Sequence, residues 1–204
     1  GRSHPNLIEL AERLVELAPT HMSKVFFANS GSEANDTAIK LTWHYNNARG
    51  KPNKNKIIAR KGGYHGSTVF AASLSGLSYM HAGFNLPVNG IIFADCPHFY
   101  RYALEDESEE AFSSRLANNL EQLILREGAD TIAAFIAEPV MGVGGVIIPP
   151  KFYFQKIQEV LHKYDILMIA DEVICGFGRT GNMFGSTTFD IKPDMITMAK
   201  GLSS

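Results

Sequence analysis

Short uninterrupted apolar runs recur along the chain and alternate with longer stretches in which apolar residues return every three or four positions. The runs are Lys56-Ile57-Ile58-Ala59, Ile91-Ile92-Phe93-Ala94, Ile132 to Ala137, Ile166 to Ala170 and Met195 to Ala199. Runs of this length, bounded by turn signals, read as strands buried on both faces, as in a parallel sheet. Val25-Phe26-Phe27 is a shorter strand candidate. Helical spacing joins Leu7, Leu10, Leu14 and Leu17, with Pro19 as the stop. It also joins Ala34, Ala38, Leu41 and Tyr45, ending near Gly50 and Pro52, and Phe112, Leu116, Leu120 and Leu123, closed by Gly128. A further helix, opened by Pro149-Pro150, carries Ile157, Val160, Leu161 and Tyr164. Residues 71–90 are Ser/Gly-rich and read as an irregular surface excursion. The alternation predicts an α/β fold with a mainly parallel sheet and helices on both faces, with no internal repeat or linker.

Three of the apolar runs end in a charge: Glu138-Pro139 after the third, Asp171 after the fourth and Lys200 after the fifth. Charges that close buried parallel strands point into the crevice outside the carboxyl ends, where open α/β sheets place ligands. Upstream, Asn29-Ser30-Gly31-Ser32-Glu33 fits a capping box, Ser30 at the N-cap and Glu33 three residues on. Such a turn offers free N–H groups, a hydroxyl and the positive end of a helix dipole, which suit a phosphate; capping alone also accounts for the serine. In Gly62-Gly63-Tyr64-His65-Gly66-Ser67, glycines flank an aromatic pair, so a tight loop presents Tyr64 either for packing or as a ligand platform. The acidic run Glu105 to Glu110 reads as a solvated approach to a helix N-terminus.

Composition narrows the function classes. The 204 residues are 45% hydrophobic with a formal net charge of -2, so no basic excess argues for nucleic acid. No apolar run approaches the ~20 residues that span a bilayer, and Gly1 to Leu10 lack the features of a signal peptide. Two cysteines, Cys96 and Cys175, give no disulfide framework or zinc spacing, and a cytoplasmic location is the expectation, although a cleaved targeting peptide would leave no trace. Gly176-Phe177-Gly178-Arg179-Thr180-Gly181 matches a dinucleotide fingerprint, but Asn182-Met183-Phe184 is no helix start; it reads as a loop beside the site. Asn35-Asp36-Thr37 is a glycosylation triplet inside a predicted helix. The seven histidines show no metal-ligand pairing and no G-x-S-x-G elbow occurs.

A lysine that closes a buried strand is either a salt-bridge partner or a Schiff-base nucleophile. A phosphate cradle, a loop aromatic, an Asp and a Lys together meet the four needs of pyridoxal phosphate: anchoring the phosphate, covering the ring, protonating the pyridine nitrogen and holding the aldehyde. An Asp–pyridinium pair at about 4 Å is worth ~4 kcal/mol at an effective dielectric near 20. At ~1.4 kcal/mol per pKa unit, that keeps the ring nitrogen protonated by about three units.

At these residues the sequence resembles the class III (omega-type) aminotransferases of fold type I. The pieces that carry the resemblance are Asn29 to Asn35, Tyr64-His65-Gly66, Glu138-Pro139, Asp171-Glu172-Val173 with Gly176 to Gly181, and Ala199-Lys200-Gly201. The resemblance implies phosphate contacts from Gly31 and Ser32, ring stacking by Tyr64 on one face and Val173 on the other, with Ser30 and His65 also among the cofactor-binding residues. It also implies Asp171 at the pyridine nitrogen, Lys200 as the Schiff-base lysine, and Glu138 near the ring. Ile174, where ornithine-type members carry Gln, resembles the pyruvate-using branch, with a primary amine or omega-amino acid such as β-alanine, taurine or a diamine as donor. The resemblance further implies that residues 1–204 are part of the large domain of a longer homodimer. Its C-terminal small domain, a carboxylate-binding Arg and a partner-subunit phosphate ligand would then lie outside this chain. Aminomutases and decarboxylases of the same fold, or an inactive cofactor-binding module, stay open on the sequence alone.

Overall fold

The computed structural model describes residues 3–19 and 21–203. Five strands form one all-parallel sheet: β1 (Lys56–Arg60), β2 (Ile91–Ala94), β3 (Ile132–Ala137), β4 (Leu167–Asp171) and β5 (Met195–Thr197), in the order β2-β1-β3-β4-β5. The register pairs Ile57 with Ile91, Ala134 with Leu167 and Asp171 with Thr197. Every residue of β3, the central strand, is buried, as expected of an apolar run covered from both sides.

Seven helices accompany the sheet among the described residues: α1 (Pro5–Leu17), α2 (Gly31–Ala48), α3 (Val69–Leu74), α4 (Phe99–Tyr102), α5 (Glu109–Glu127), α6 (Tyr153–Lys163) and α7 (Gly185–Thr188). On one face, Ala38 and Ile39 of α2 and Leu74 of α3 pack on Ile57, Ala59, Ile136 and Ile169. On the other, Phe112, Leu120 and Ile124 of α5 and Phe154, Ile157 and Leu161 of α6 pack on Ile58, Phe135 and Met168. Strand side chains alternate between faces, so Asp171, two residues after Ile169, is turned toward α2. That parity places the site. Among the described residues no helix is long and apolar enough to cross a membrane.

Several local expectations are corrected. Val25 to Phe27 forms no strand and has no ladder partner among the described residues, and Phe26 is exposed. Residues 71–75 are no surface excursion: they belong to α3 and the turn after it, and all are buried. Pro149-Pro150 stays outside α6, which starts at Tyr153 after Phe152 takes a left-handed φ of 63°. Within α2 the buried face is Asn35, Ala38, Ile39, Thr42 and Asn46, while Leu41 and Tyr45 are exposed. The acidic run is not merely solvated: Glu107 accepts from Arg115 at 2.8 and 2.6 Å and from Leu104 N at 3.0 Å. That pairing with Arg115 holds the carboxyl down to about 2.

The α5–α6 layer should dominate stability. In the full-length protein, Phe112→Ala removes a fully buried ring in edge contact with Phe99 (centroids 5.6 Å apart) and is expected to cost about 3–5 kcal/mol in urea unfolding. Leu125→Ala, at a position on α5 that is 51% exposed, should stay within about 0.5 kcal/mol; equal costs would contradict this layer assignment.

Candidate active site

At the carboxyl edge of the sheet a cleft of about 470 Å³ is lined by Ser30, Gly31, Ser32, Tyr64, His65, Glu138, Asp171, Val173 and Lys200, with Ile174 and Met198 among its other walls. All nine residues singled out from the sequence therefore border one space. A second cavity of about 560 Å³, mostly apolar, adjoins it under α1 and residues 21–28 and shares Ala28, Ser30, Met198 and Leu202 with it. The ionisable groups Glu138, Asp171 and Lys200 line the smaller space, so that is where chemistry can occur.

The N-terminus of α2 forms one wall. Ser30 Oγ accepts from Glu33 N at 3.2 Å. Glu33 reaches back to Asn29 N (2.9 Å) and Asn29 Nδ2 (3.0 Å), one residue earlier than a standard capping box. The N–H groups of Gly31 and Ser32 have no intrahelical acceptor at this end. Two glycines let this wall pack closely on its neighbours. A Cβ on Gly31 would lie 2.8 Å from a Val173 methyl; one on Gly66, whose φ is +134°, would lie 2.3 Å from Ser32 Oγ.

The loop after β1 forms the second wall, and buried carboxylates hold it. Tyr64 N donates to Glu138 Oε1 at 2.9 Å, and Gly142 N donates to Glu138 Oε2 at 2.9 Å. Glu138 is 2% exposed, and burial pushes its carboxyl above the usual range, an effect opposed by His65 and these two N–H groups. Beneath it, buried Arg60 donates from Nη2 to the Glu138 carbonyl. His65 is anchored at its backbone N by Ser75 Oγ (2.9 Å), and its Nδ1 lies 2.8 Å from Asp171 Oδ2.

Asp171, 3% exposed, closes β4 as expected. Its Oδ2 also accepts from Asn35 Nδ2 at 2.8 Å and its Oδ1 from Val173 N at 3.1 Å. Lys200 departs from expectation: β5 stops at Thr197, and Lys200 opens a short 3₁₀ turn (Lys200–Leu202) with a left-handed φ of 41°. A left-handed φ at a long side chain is uncommon and is a kind of strain found at functional sites. The Gly176 to Gly181 segment is a turn with positive φ at Phe177, Gly178 and Gly181, and only the four-residue α7 follows. It lies against the lysine turn, where a Cβ on Gly201 would be 3.2 Å from Phe177 Cβ.

Sequence reasoning missed three residues that build this edge. Asn35, which falls in a glycosylation triplet and in the Asn29 to Asn35 motif but is given no role by either, is fully buried and bonded on both sides of its amide. Its spacing to Ala38, Ile39 and Thr42 on one helix face was the available signal. Thr197 donates from Oγ1 to Asn35 Oδ1 at 2.7 Å. Glu172, 1% exposed, takes Gly185 N, Ser186 N and Ser186 Oγ at 3.0, 2.6 and 2.6 Å, which ties the start of α7 to the end of β4; burial raises its carboxyl too.

Comparison with known proteins extends these observations. The class III aminotransferase family model matches residues 2–204. A probable gamma-aminobutyrate transaminase 2, mitochondrial, of Oryza sativa subsp. indica is 61% identical over 198 residues, covering 97% of this chain and 40% of the relative. Gamma aminobutyrate transaminase 3, chloroplastic, of Solanum lycopersicum is 60% identical over 205 residues, covering 100% and 39%. The omega transaminase of Pseudomonas jessenii in complex with PMP superposes with a TM-score of 0.98 at 63% identity, covering 99% of this chain and 45% of that one. A transaminase solved with L-alanine gives 0.96 at 62%, covering 98% and 47%. The chain thus spans about 40% of the length of the curated relatives it matches.

The cytoplasmic expectation is overturned by these relatives, which are named as mitochondrial and chloroplastic. Its physical basis was the lack of a disulfide framework, and two free buried cysteines, Cys96 and Cys175, do not distinguish cytosol from organelle interior. With a family model matched from residue 2 to residue 204 and a shared parallel sheet at over 60% identity, the chain belongs to the class III aminotransferases, which depend on pyridoxal phosphate.

Proposed function

We propose that this chain carries the cofactor-binding part of a transaminase that moves an amino group from a primary amine or omega-amino acid to pyruvate. The observation that carries the proposal is the convergence of Asp171, Lys200, Tyr64 and the α2 N-terminus on one cleft. Two features fit pyridoxal phosphate in particular. The turn at Ser30 to Ser32 lines the cleft with helix N–H groups suited to a phosphate, and it packs closely on Val173 and Gly66 because residues 31 and 66 lack a Cβ. The donor set is one a pyridinium cofactor requires, a buried carboxylate and an amine bordering the same cleft.

When bound, pyridoxal phosphate supplies the electron sink that makes the carbon bearing the donor amine acidic. In our reading Ser30, Gly31 and Ser32 would hold the phosphate and Tyr64 and Val173 would cover the ring, while Glu138 and His65 fix the loop that carries Tyr64. Asp171 keeps a proton on the ring nitrogen. Lys200 would hold the cofactor aldehyde, and its Nζ would take the proton from the donor carbon. The omega-amino donor is supported by relatives named for gamma-aminobutyrate and by an omega transaminase neighbour. Pyruvate as acceptor is supported by the neighbour solved with L-alanine, its amination product. The chain is then part of a large domain, residues 1–204, of an enzyme with a small C-terminal domain. It works as a homodimer with sites at the subunit interface, as the family resemblance implies.

The test is a donor panel, gamma-aminobutyrate, β-alanine, taurine and diamines, incubated with pyruvate and the full-length protein. Alanine should accumulate together with the matching carbonyl product. Carbon dioxide release or amine migration without alanine would replace transamination by another reaction. Two variants test the assigned roles. Lys200→Ala should still take up the cofactor, but borohydride should no longer fix it to the chain, as read by mass spectrometry. Asp171→Asn should retain cofactor yet lose turnover on the order of a thousandfold, the equivalent of about three pKa units at the ring nitrogen; full activity in that variant would remove Asp171 from the mechanism.

A further inference from the structure

Asn35 sits one turn into α2, fully buried, and each half of its amide is used by a different part of the sheet edge. Its Nδ2 donates to the His65 carbonyl at 2.7 Å and to Asp171 Oδ2 at 2.8 Å. Its Oδ1 accepts from Thr197 Oγ1 at 2.7 Å. This arrangement fixes the orientation of the amide, because turning it over would set an oxygen against a carbonyl and a carboxylate and leave the threonine hydroxyl facing an NH₂. His65 Nδ1 meets the same Oδ2 at 2.8 Å. Asp171 Oδ2 is therefore occupied by two groups of the protein, whereas among the described residues Oδ1 takes only Val173 N, at 3.1 Å. An ionised carboxylate oxygen accepts about two hydrogen bonds, so Oδ1 keeps an acceptor position on a residue that lines the cleft.

We propose that Asn35 is a positioning residue for Asp171: together with His65 it occupies Oδ2, so that Oδ1 is the oxygen offered to a protonated ring nitrogen in the cleft. The inference rests on the cofactor reading given above. The competing role is a plain stitch, in which Asn35 ties α2 to the loop at His65 and to β5 and would matter equally whatever stood at 171. Ser, or any residue without two donors and an acceptor in this geometry, cannot make all three bonds.

A double-mutant cycle separates the two roles. The full-length apoprotein is titrated with pyridoxamine 5′-phosphate, which has no aldehyde to link to Lys200, and its dissociation constant is read by fluorescence in wild type, Asn35→Ala, Asp171→Ala and the double variant. Asn35→Ala should weaken binding about tenfold when Asp171 is present, as expected for loss of a hydrogen bond to a charged group, and less than about twofold when residue 171 is Ala. Equal weakening in both backgrounds, or none in either, would overturn the positioning role. If Asn35→Ala does not fold, Thr197→Val removes only the hydroxyl that orients the amide and runs the same cycle: coupling to Asp171 supports the proposal, and an equal loss in both backgrounds overturns it. A wild-type protein that fails to bind pyridoxamine 5′-phosphate would overturn the cofactor reading itself, and this inference with it.

Discussion

A carboxylate buried at the end of a parallel strand must find hydrogen-bond donors on neighbouring elements, and at Asp171 that constraint organises the molecule. Its partners come from α2 (Asn35), from the loop after β1 (His65) and from the turn after β4 (Val173). Taking an ionised group out of water without such partners would cost several kcal/mol or more. The donors are thus part of the fold as much as of the site. The same bonds fix how α2 enters the sheet edge, and with it the place of the Ser30 to Ser32 turn opposite the Lys200 turn.

Two periodicities made this geometry possible. Alternation along β4 turns Asp171 to the α2 side, because Ile169 already packs there. The 3.6-residue period of α2 brings Asn35 to the same side, one turn before Ala38 and Ile39. Parallel pairing of β4 with β5, Asp171 opposite Thr197, then sets the distance along the edge at which the chain reaches Lys200.

The strands, the order of elements and the edge on which charges gather were legible because buried parallel strands write continuous apolar runs. What resisted reading has specific causes. The inward face of α2 is marked by Asn35, Thr42 and Asn46 as well as by Ala38 and Ile39, so a search for apolar positions chose Leu41 and Tyr45, which are exposed. Val25 to Phe27 has the composition of a strand, but a strand exists only with a partner, and propensity says nothing about pairing. The segment 71–75 looked polar because Ser73 and Ser75 are there, yet both are buried with hydroxyls committed to Val69 O and Ala71 O. The Lys200 backbone conformation follows from its turn and is invisible in an apolar run that seems to continue through Ala199.

Charge balance explains why three carboxylates can be crowded at one edge. Glu138, Asp171 and Glu172 are all buried, and burial, with a lesser contribution from the charge of Asp171, raises Glu138 and Glu172. Each is met by groups that also shape the cleft: Tyr64 N and Gly142 N at Glu138, Gly185 N and Ser186 at Glu172, Val173 N at Asp171. Under them Arg60 brings a guanidinium, held over the rings of Tyr153 and Phe154 at 5.9 and 5.6 Å, and it touches the edge through the Glu138 carbonyl rather than through a carboxylate. A direct ion pair there would have engaged a side-chain oxygen of Glu138 that instead holds the Tyr64 loop or the Gly142 turn. Contact through the carbonyl leaves both Glu138 carboxylate oxygens to hold Tyr64 N and Gly142 N, and with them the loops on that side of the cleft.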